Sequence, residues 1–312
     1  MVLATTDHWS VEVMEARVVR YADLRPCYNA FIDTRSPGSE AKENFTIIGP
    51  GVSENSDQHV HIAEPHGFNI GGARQPPGCV NSQHSHDTAE VFVVHGGEWR
   101  FDLGEHGDDA QVLLHPGDVI SLPTGMFRGF TNVGNDTGFL FAVLGGDDPG
   151  RVLWAPQVFD MAVDYGLVLL ENGSLVDTAA GQSIPKDSRP MTKTSPEQVA
   201  RLRRATADDA ARMVWRSAPC HPGKATVIIG EDAPLNEPHP FRLERICLAN
   251  GAADDQRRPT APEVLFVQSG RAHVGWNGGE ITLGAGDTMS VPIGVERSLA
   301  SSAEAVVYRV SG

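Results

Sequence analysis

His84 and His86 are separated by one residue, and Glu90 follows four positions later. Alternate side chains of an extended strand share a face, so the two imidazoles of a His-x-His strand point the same way. Asp87 and Thr88 then suit a turn. Glu90 opens the apolar run Val91-Phe92-Val93-Val94, which predicts a second strand starting at the carboxylate. Two neutral imidazoles and a carboxylate converging on one point suit Fe, Mn or Zn.

The residues around this trio have a pattern of their own. The stretch Gly78 to Gly97 places a glycine, then His84-Ser85-His86, then Glu90, then Gly96-Gly97. One hairpin later come Gly117, Pro123, Gly125, Arg128 and Asn132. The two stretches resemble the paired signatures of the cupin superfamily. Where that family usually has a second-signature histidine ligand, this chain has Arg128, a cation that cannot ligate a metal ion.

A second copy of the pattern follows. Glu64-Pro65-His66-Gly67-Phe68 recurs as Glu237-Pro238-His239-Pro240-Phe241, and the halves then align without a gap. Gly78 falls on Gly251, Glu90 on Glu263 and Gly97 on Gly270; after a shorter hairpin, Gly117, Pro123, Gly125 and Arg128 fall on Gly286, Pro292, Gly294 and Arg297. The resemblance is therefore to a two-barrel cupin, and it implies an all-β fold of two tandem jelly-roll barrels with a few short linker helices. The expected division is an N-terminal arm over 1–45, a first barrel over 46–150, a linker with short helices and a hairpin over 151–225, and a second barrel over 226–312.

The second half keeps Glu263 and Arg297 but has Arg257 and Pro259 where the first has His84 and His86, so no metal is expected there. Two readings of the first half follow. In one, Glu90 and Arg128 form a structural ion pair, as Glu263 and Arg297 would, because a buried charge needs a partner, and the histidines are a relic. In the other, His84, His86 and Glu90 hold an ion with open coordination positions. Arg128 then grips a substrate carboxylate or enolate with its planar fork of donors.

Further candidates surround this centre. His59 and His61 lie in the loop 50–65, which is longer only in the first half; they are an alternative source of a fourth ligand, or solvated loop residues. Arg74, Phe92, Trp99 and Phe130 fall on strands whose alternation can turn them inward towards a substrate, or into a plain core.

Within the arm, Val11–Tyr21 has strand-like composition. In the linker, Ala155–Tyr165 has helical spacing and ends at Gly166, Asn172-Gly173 signals a hairpin, and Ser195-Pro196-Glu197 signals a helix start.

Composition narrows the function. The 312 residues carry 40 acids against 25 Lys plus Arg, a formal charge of −15, with no basic run. That argues against nucleic acid and against an anionic membrane surface. No run approaches the roughly 18 apolar residues of a membrane span, and the N-terminus lacks the pattern of a signal peptide. The four cysteines show no metal-type spacing and read as reduced thiols of a cytoplasmic protein. There is no Gly-rich phosphate loop and no nucleophile elbow.

The resemblance implies a non-haem Fe2+ dioxygenase acting on a small anionic aromatic or enolisable substrate. A Zn2+ or Mn2+ isomerase or lyase acting on a sugar acid or similar molecule, and a metal-free binding protein, are the alternatives. The apolar outer strand faces and the arm suggest a homodimer.

Overall fold

The structure, a computed structural model, describes residues 9–223, 225–249 and 256–312; Gly251, the repeat partner of Gly78, lies outside them. The chain forms two compact units, each a jelly-roll barrel. One comprises Arg25–Ser217 with Glu237–Pro240, the other the chain up to Leu24 with Ala218–Asn236 and Phe241–Gly312.

The first-barrel unit faces a seven-stranded sheet with a five-stranded one. The larger sheet runs in the order Val214–Trp215, Val119–Leu122, Glu90–Gly96, Gly138–Gly145, Phe68–Gln75, Glu43–Ile48, Val60–Ile62. The smaller runs Val152–Trp154, Val80–His86, Arg128–Asn132, Trp99–Leu103, Ala110–Leu114. Glu90–Gly96 is central, with Phe92 and Val94 turned into the core between the sheets and Val91 and Val93 buried on the other side. That double burial is why it reads as an unbroken apolar run. Gly117, at φ +87°, closes the turn that returns the chain antiparallel to this strand, and its N–H donates to the Val94 carbonyl.

The second-barrel unit has a six-stranded sheet and a three-stranded one around its own apolar core. Its Glu263–Ser269 strand lies between Thr288–Val291 and Ala305–Ser311, as Glu90–Gly96 lies between Val119–Leu122 and Gly138–Gly145.

The arm and the linker do not keep the expected boundaries. Val11–Glu15 is helical, capped by Ser10 and buried through Met14; only Val18–Val19 is strand, paired with Thr288 and Met289 of the second barrel. The strand-like β-branched residues belong to a helix whose conformation tertiary packing decides. From Arg25 onward the arm joins the first-barrel unit, and so does nearly all of the linker. Val214–Trp215 adds an edge strand against Val119 and Ile120. The chain thus covers from within some of the strand surface that suggested a second subunit.

Within the linker, Pro156–Asp164 is helical, Gly166 follows at φ +79°, and Leu167–Leu169 pairs with Leu175–Asp177. The helix begun at Ser195 lasts only Pro196–Val199, and a further one, Ala207–Arg212, starts at a capping box on Thr206.

The loop 50–65 contains the strand Val60–Ile62, parallel to Glu43–Ile48. The cysteines also depart from expectation. Cys220 and Cys247 are disulfide-bonded, with Cα atoms 5.6 Å apart, while Cys27 and Cys79 are free and buried. Two residues from separate segments had no spacing signal to announce them. The bond removes the ground for expecting four reduced thiols and, with it, a cytoplasmic protein. Among the described residues, no helix is long and apolar enough to cross a membrane.

Candidate metal centre

The strand Val80–His86 turns through Asp87–Ala89 into Glu90–Gly96. Its alternation sends His84 and His86 inward together, and the turn brings Glu90 back beside them. The ligand atoms of His84, His86 and Glu90 all lie within 4.8 Å of one another, and the three side chains are buried. Among the described residues no other group of histidine, cysteine and acid side chains meets the same condition.

The imidazoles are prepared as neutral donors. His84 Nδ1 lies 2.7 Å from the Ser82 carbonyl oxygen, so it carries the proton and donates it, leaving the Nε2 lone pair bare. Burial, then the Arg128 charge, pushes His84 down to about 3. Burial, Arg128 and His84 hold His86 well below the usual histidine range. His86 Nε2 is 3.5 Å from Glu90 Oε2, and its Nδ1 is buried without a hydrogen-bond partner. A bare lone pair, an orphaned ring nitrogen and a carboxylate fit a divalent transition metal.

Arg128 is opposite His84 across the strand ladder and fully buried. Its Nη2 donates to Glu90 Oε2 at 2.9 Å and its Nη1 to the Met126 carbonyl at 3.2 Å. Burial raises the Glu90 pKa and Arg128 opposes the rise. The ion pair and the ligand cluster, alternatives from the sequence, therefore coexist. Arg128 does not line the cavity described next. Its contacts orient the carboxylate from behind, where it cannot also clamp a substrate.

A cavity with about 670 Å³ of empty space, open solvent at its mouth included, has His84, His86 and Glu90 in its wall. Phe92 and Phe130 are in its wall, with rings 5.3 Å apart. Trp99 is not. Fully buried behind Phe130, it donates from Nε1 to the Gly96 carbonyl at 2.8 Å. Arg74 is also outside the wall, because Glu43 is its cross-strand partner; the two form an ion pair and the guanidinium covers the Phe45 ring at 5.0 Å.

His59 and His61 are absent from the wall as well. His61 Nδ1 donates to the Thr46 carbonyl at 2.9 Å, and its Nε2 accepts from the Arg25 N–H at 3.2 Å, so both nitrogens are engaged. Their loop contributes Gly51, Val52, Ser53 and Gln58 to the wall instead.

Several wall residues escaped sequence reasoning. Phe31 and Asn44 come from the arm, and Trp154 comes from the strand after the barrel. Trp154 is paired with His84 across the ladder, its ring 5.4 Å away, and donates from Nε1 to Glu54 Oε1 at 2.6 Å. No motif marks these positions; for Trp154, only the register of Val152–Trp154 against Val80–His86 brings it to the site.

The second barrel supplies the contrast. Arg257 and Arg297 exchange backbone hydrogen bonds at 2.9 and 2.8 Å, where the first barrel pairs His84 with Arg128. Arg297 donates twice to Glu263 Oε1, and Arg257 Nε is 3.5 Å from Glu263 Oε2. Glu244 and Arg309 add a second buried pair. Their ladder positions correspond to Gly71 and Ala142, which leave open the cavity of the first barrel.

The fold is that of a two-barrel cupin, a bicupin. Residues 73–144 match the family model described as Cupin domain. Germin-like protein subfamily 1 member 7 of Arabidopsis thaliana is 36% identical over 88 residues, which is 27% of this chain and 38% of that protein. Germin-like protein subfamily 1 member 4 of the same plant is 29% identical over 124 residues, 36% of this chain and 54% of that one. The matches thus span less than two thirds of either relative.

Two solved structures superpose on nearly the whole chain. Salicylate 1,2-dioxygenase of Pseudoaminobacter salicylatoxidans, as adducts with gentisate, gives a TM-score of 0.55 at 18% identity over 94% of this chain and 80% of that one. Oxalate decarboxylase of Bacillus subtilis at pH 4.6 gives 0.55 at 12% identity over 95% and 75%. At such identities the likeness is one of fold.

Proposed function

We propose that the first barrel is a metal-dependent oxidoreductase centre, a non-haem Fe2+ dioxygenase acting on a small anionic aromatic or enolisable substrate. The observation that carries this reading is the convergence of three buried donors in the wall of a cavity also lined by aromatic rings, with His84 Nε2 left bare. Iron there would supply redox chemistry with dioxygen, and three protein ligands leave positions open for it. His84, His86 and Glu90 would hold the ion. Arg128 fixes the Glu90 carboxylate by donating to Oε2. Phe92, Phe130 and Trp154 exclude water and pack a planar substrate. A dioxygenase is among the bicupins of the same fold, which supports the reading without carrying it.

The donor set equally suits Mn2+ and Zn2+, with which the centre would serve an isomerase or lyase as a Lewis acid. Two measurements on untagged protein decide between the readings. Metal analysis should find close to one equivalent of iron, and oxygen uptake should follow addition of one member of a panel of catechols, gentisate and 1,3-dicarbonyls. Metal below about a tenth of an equivalent after reconstitution would leave a metal-free binding protein. Metal without oxygen uptake on any of the panel would favour the isomerase or lyase.

A further inference from the structure

Apart from His86 Nδ1, two buried atoms of the described cavity-wall residues have no hydrogen-bond partner in the protein. Asn44 Nδ2 and Gln58 Oε1 are both buried, and both residues line the cavity. Each is held in place. The Asn44 backbone bonds Cys27 in both directions, at 2.8 and 3.1 Å. Gln58 Nε2 donates to Thr46 Oγ1 at 2.6 Å, which leaves the amide oxygen as its free end. Asn44 and Thr46 are alternate residues of the strand Glu43–Ile48 and share its cavity face, and Gln58 is seated on Thr46. An unpaired donor and an unpaired acceptor therefore belong to the same wall of the cavity.

Their position gives them meaning. In the larger sheet, Glu43–Ile48 is three strands from Glu90–Gly96, which sets the amides apart from the Glu90 carboxylate along the cavity wall. Among the described residues, no arginine or lysine lines the cavity. An anionic group on a substrate would find a cation only at the metal, and the far end of the same molecule would meet a neutral donor and a neutral acceptor. A hydroxyl group satisfies both at once.

We infer that Asn44 and Gln58 determine specificity by reading a hydroxyl on the substrate at the end remote from His84, His86 and Glu90. The hydroxyl oxygen accepts from Asn44 Nδ2 and its hydrogen is donated to Gln58 Oε1. This inference rests on the metal-centre reading and narrows its substrate class to hydroxylated aromatic acids. A site built to pair a hydroxyl discriminates against the analogue lacking it, because its own groups are then left unpaired.

Gentisate and salicylate test it, since they share a carboxylate and its neighbouring hydroxyl and differ by one hydroxyl across the ring. Protein reconstituted with Fe2+ without oxygen is first assayed for metal, then titrated with each compound. Gentisate should bind at least about tenfold more tightly. In Asn44→Leu and in Gln58→Met that preference should fall to about twofold or less, with salicylate affinity and metal content unchanged. Gln58→Met changes a loop side chain and stands in if Asn44→Leu does not fold. Equal affinities in the unaltered protein, no binding of either compound, or a preference that survives in the folded variants overturns the inference while metal content stands. Loss of the metal itself, seen before any probe is added, overturns the metal-centre reading and this inference with it.

Discussion

Glu244 and Arg309 face each other across the second barrel's ladder at the positions that Gly71 and Ala142 occupy in the first. One barrel thus closes its lumen with a buried ion pair where the other leaves room for a ligand. Refilling the first lumen should abolish ligand binding without touching the metal ligands. Ala142→Leu is predicted to weaken gentisate binding by more than about tenfold while metal content stays at its wild-type value. Calorimetric titration and metal analysis on one sample check both halves.

Removing the ligands should do the reverse. His84→Ala with His86→Ala is predicted to bring metal content below about a tenth of an equivalent. The fold should survive, since the second barrel keeps it with Arg257 and Pro259 at the matching positions. Stability should fall by only about 1–3 kcal/mol for two trimmed buried rings. A double variant that cannot be obtained folded would make the histidines structural.

Arg128 works on Glu90 in two opposed ways. Its hydrogen bond orients the carboxylate, and its charge repels any cation placed between the imidazoles; burial first, and that charge second, hold His84 and His86 below the usual histidine range. Arg128→Met should destabilise the metal-free protein by about 3 kcal/mol, because Glu90 is left buried without its partner. Arg128→His removes the repulsion and adds a donor next to His84, so metal affinity should rise by about tenfold or more. Chemical denaturation and competition with a chelator measure the two effects.

How much of this the residues announced depends on how local the determinant is. The cluster of His84, His86 and Glu90 is set by strand alternation and one turn, and both can be counted along the chain. The duplication was equally readable, because it repeats glycines and prolines that turns require. The Arg74–Glu43 pair and the path of Trp154 to His84 depend on which strands lie side by side, and composition carries no trace of that. Trp99 and Phe92 had the same inward parity, yet only Phe92 reaches the cavity, because Trp99 sits on the neighbouring sheet with Phe130 between. Val11–Glu15 misled for a different reason: its β-branched residues suit a strand, and burial of Met14 against the second barrel's core holds it as a helix.

The bond between Cys220 and Cys247 closes a loop of 27 residues in the second-barrel unit. Constraint of the unfolded chain by a loop of that length is worth about 3.5 kcal/mol. Cys220→Ala should therefore lower the unfolding temperature of that unit. Metal content should not change, because the candidate ligands belong to the other unit. Alkylation of denatured, unreduced protein should label Cys27 and Cys79 alone; labelling of all four would show the bond absent.

Glu54 gives the clearest dependence on pH. Burial pushes its carboxyl up from 4.5 to about 8, against hydrogen bonds from Trp154 and the Ile32 N–H and with Asp33 nearby adding to the rise. A carboxyl that holds its proton more tightly folded than unfolded favours the fold fully below about 4.5, progressively less as pH rises, and no longer above about 8. Between those limits the folded chain binds more protons at this group, so its contribution to stability falls by up to about 5 kcal/mol. Glu54→Gln keeps an amide oxygen near the Trp154 indole and cannot ionise. Its unfolding free energy should change less between pH 5 and pH 8.5 than that of the unaltered protein (pH values chosen to bracket roughly the window above). Denaturant titrations of both proteins at the two pH values measure the difference, and parallel pH dependences would mean that Glu54 is ionised inside the fold.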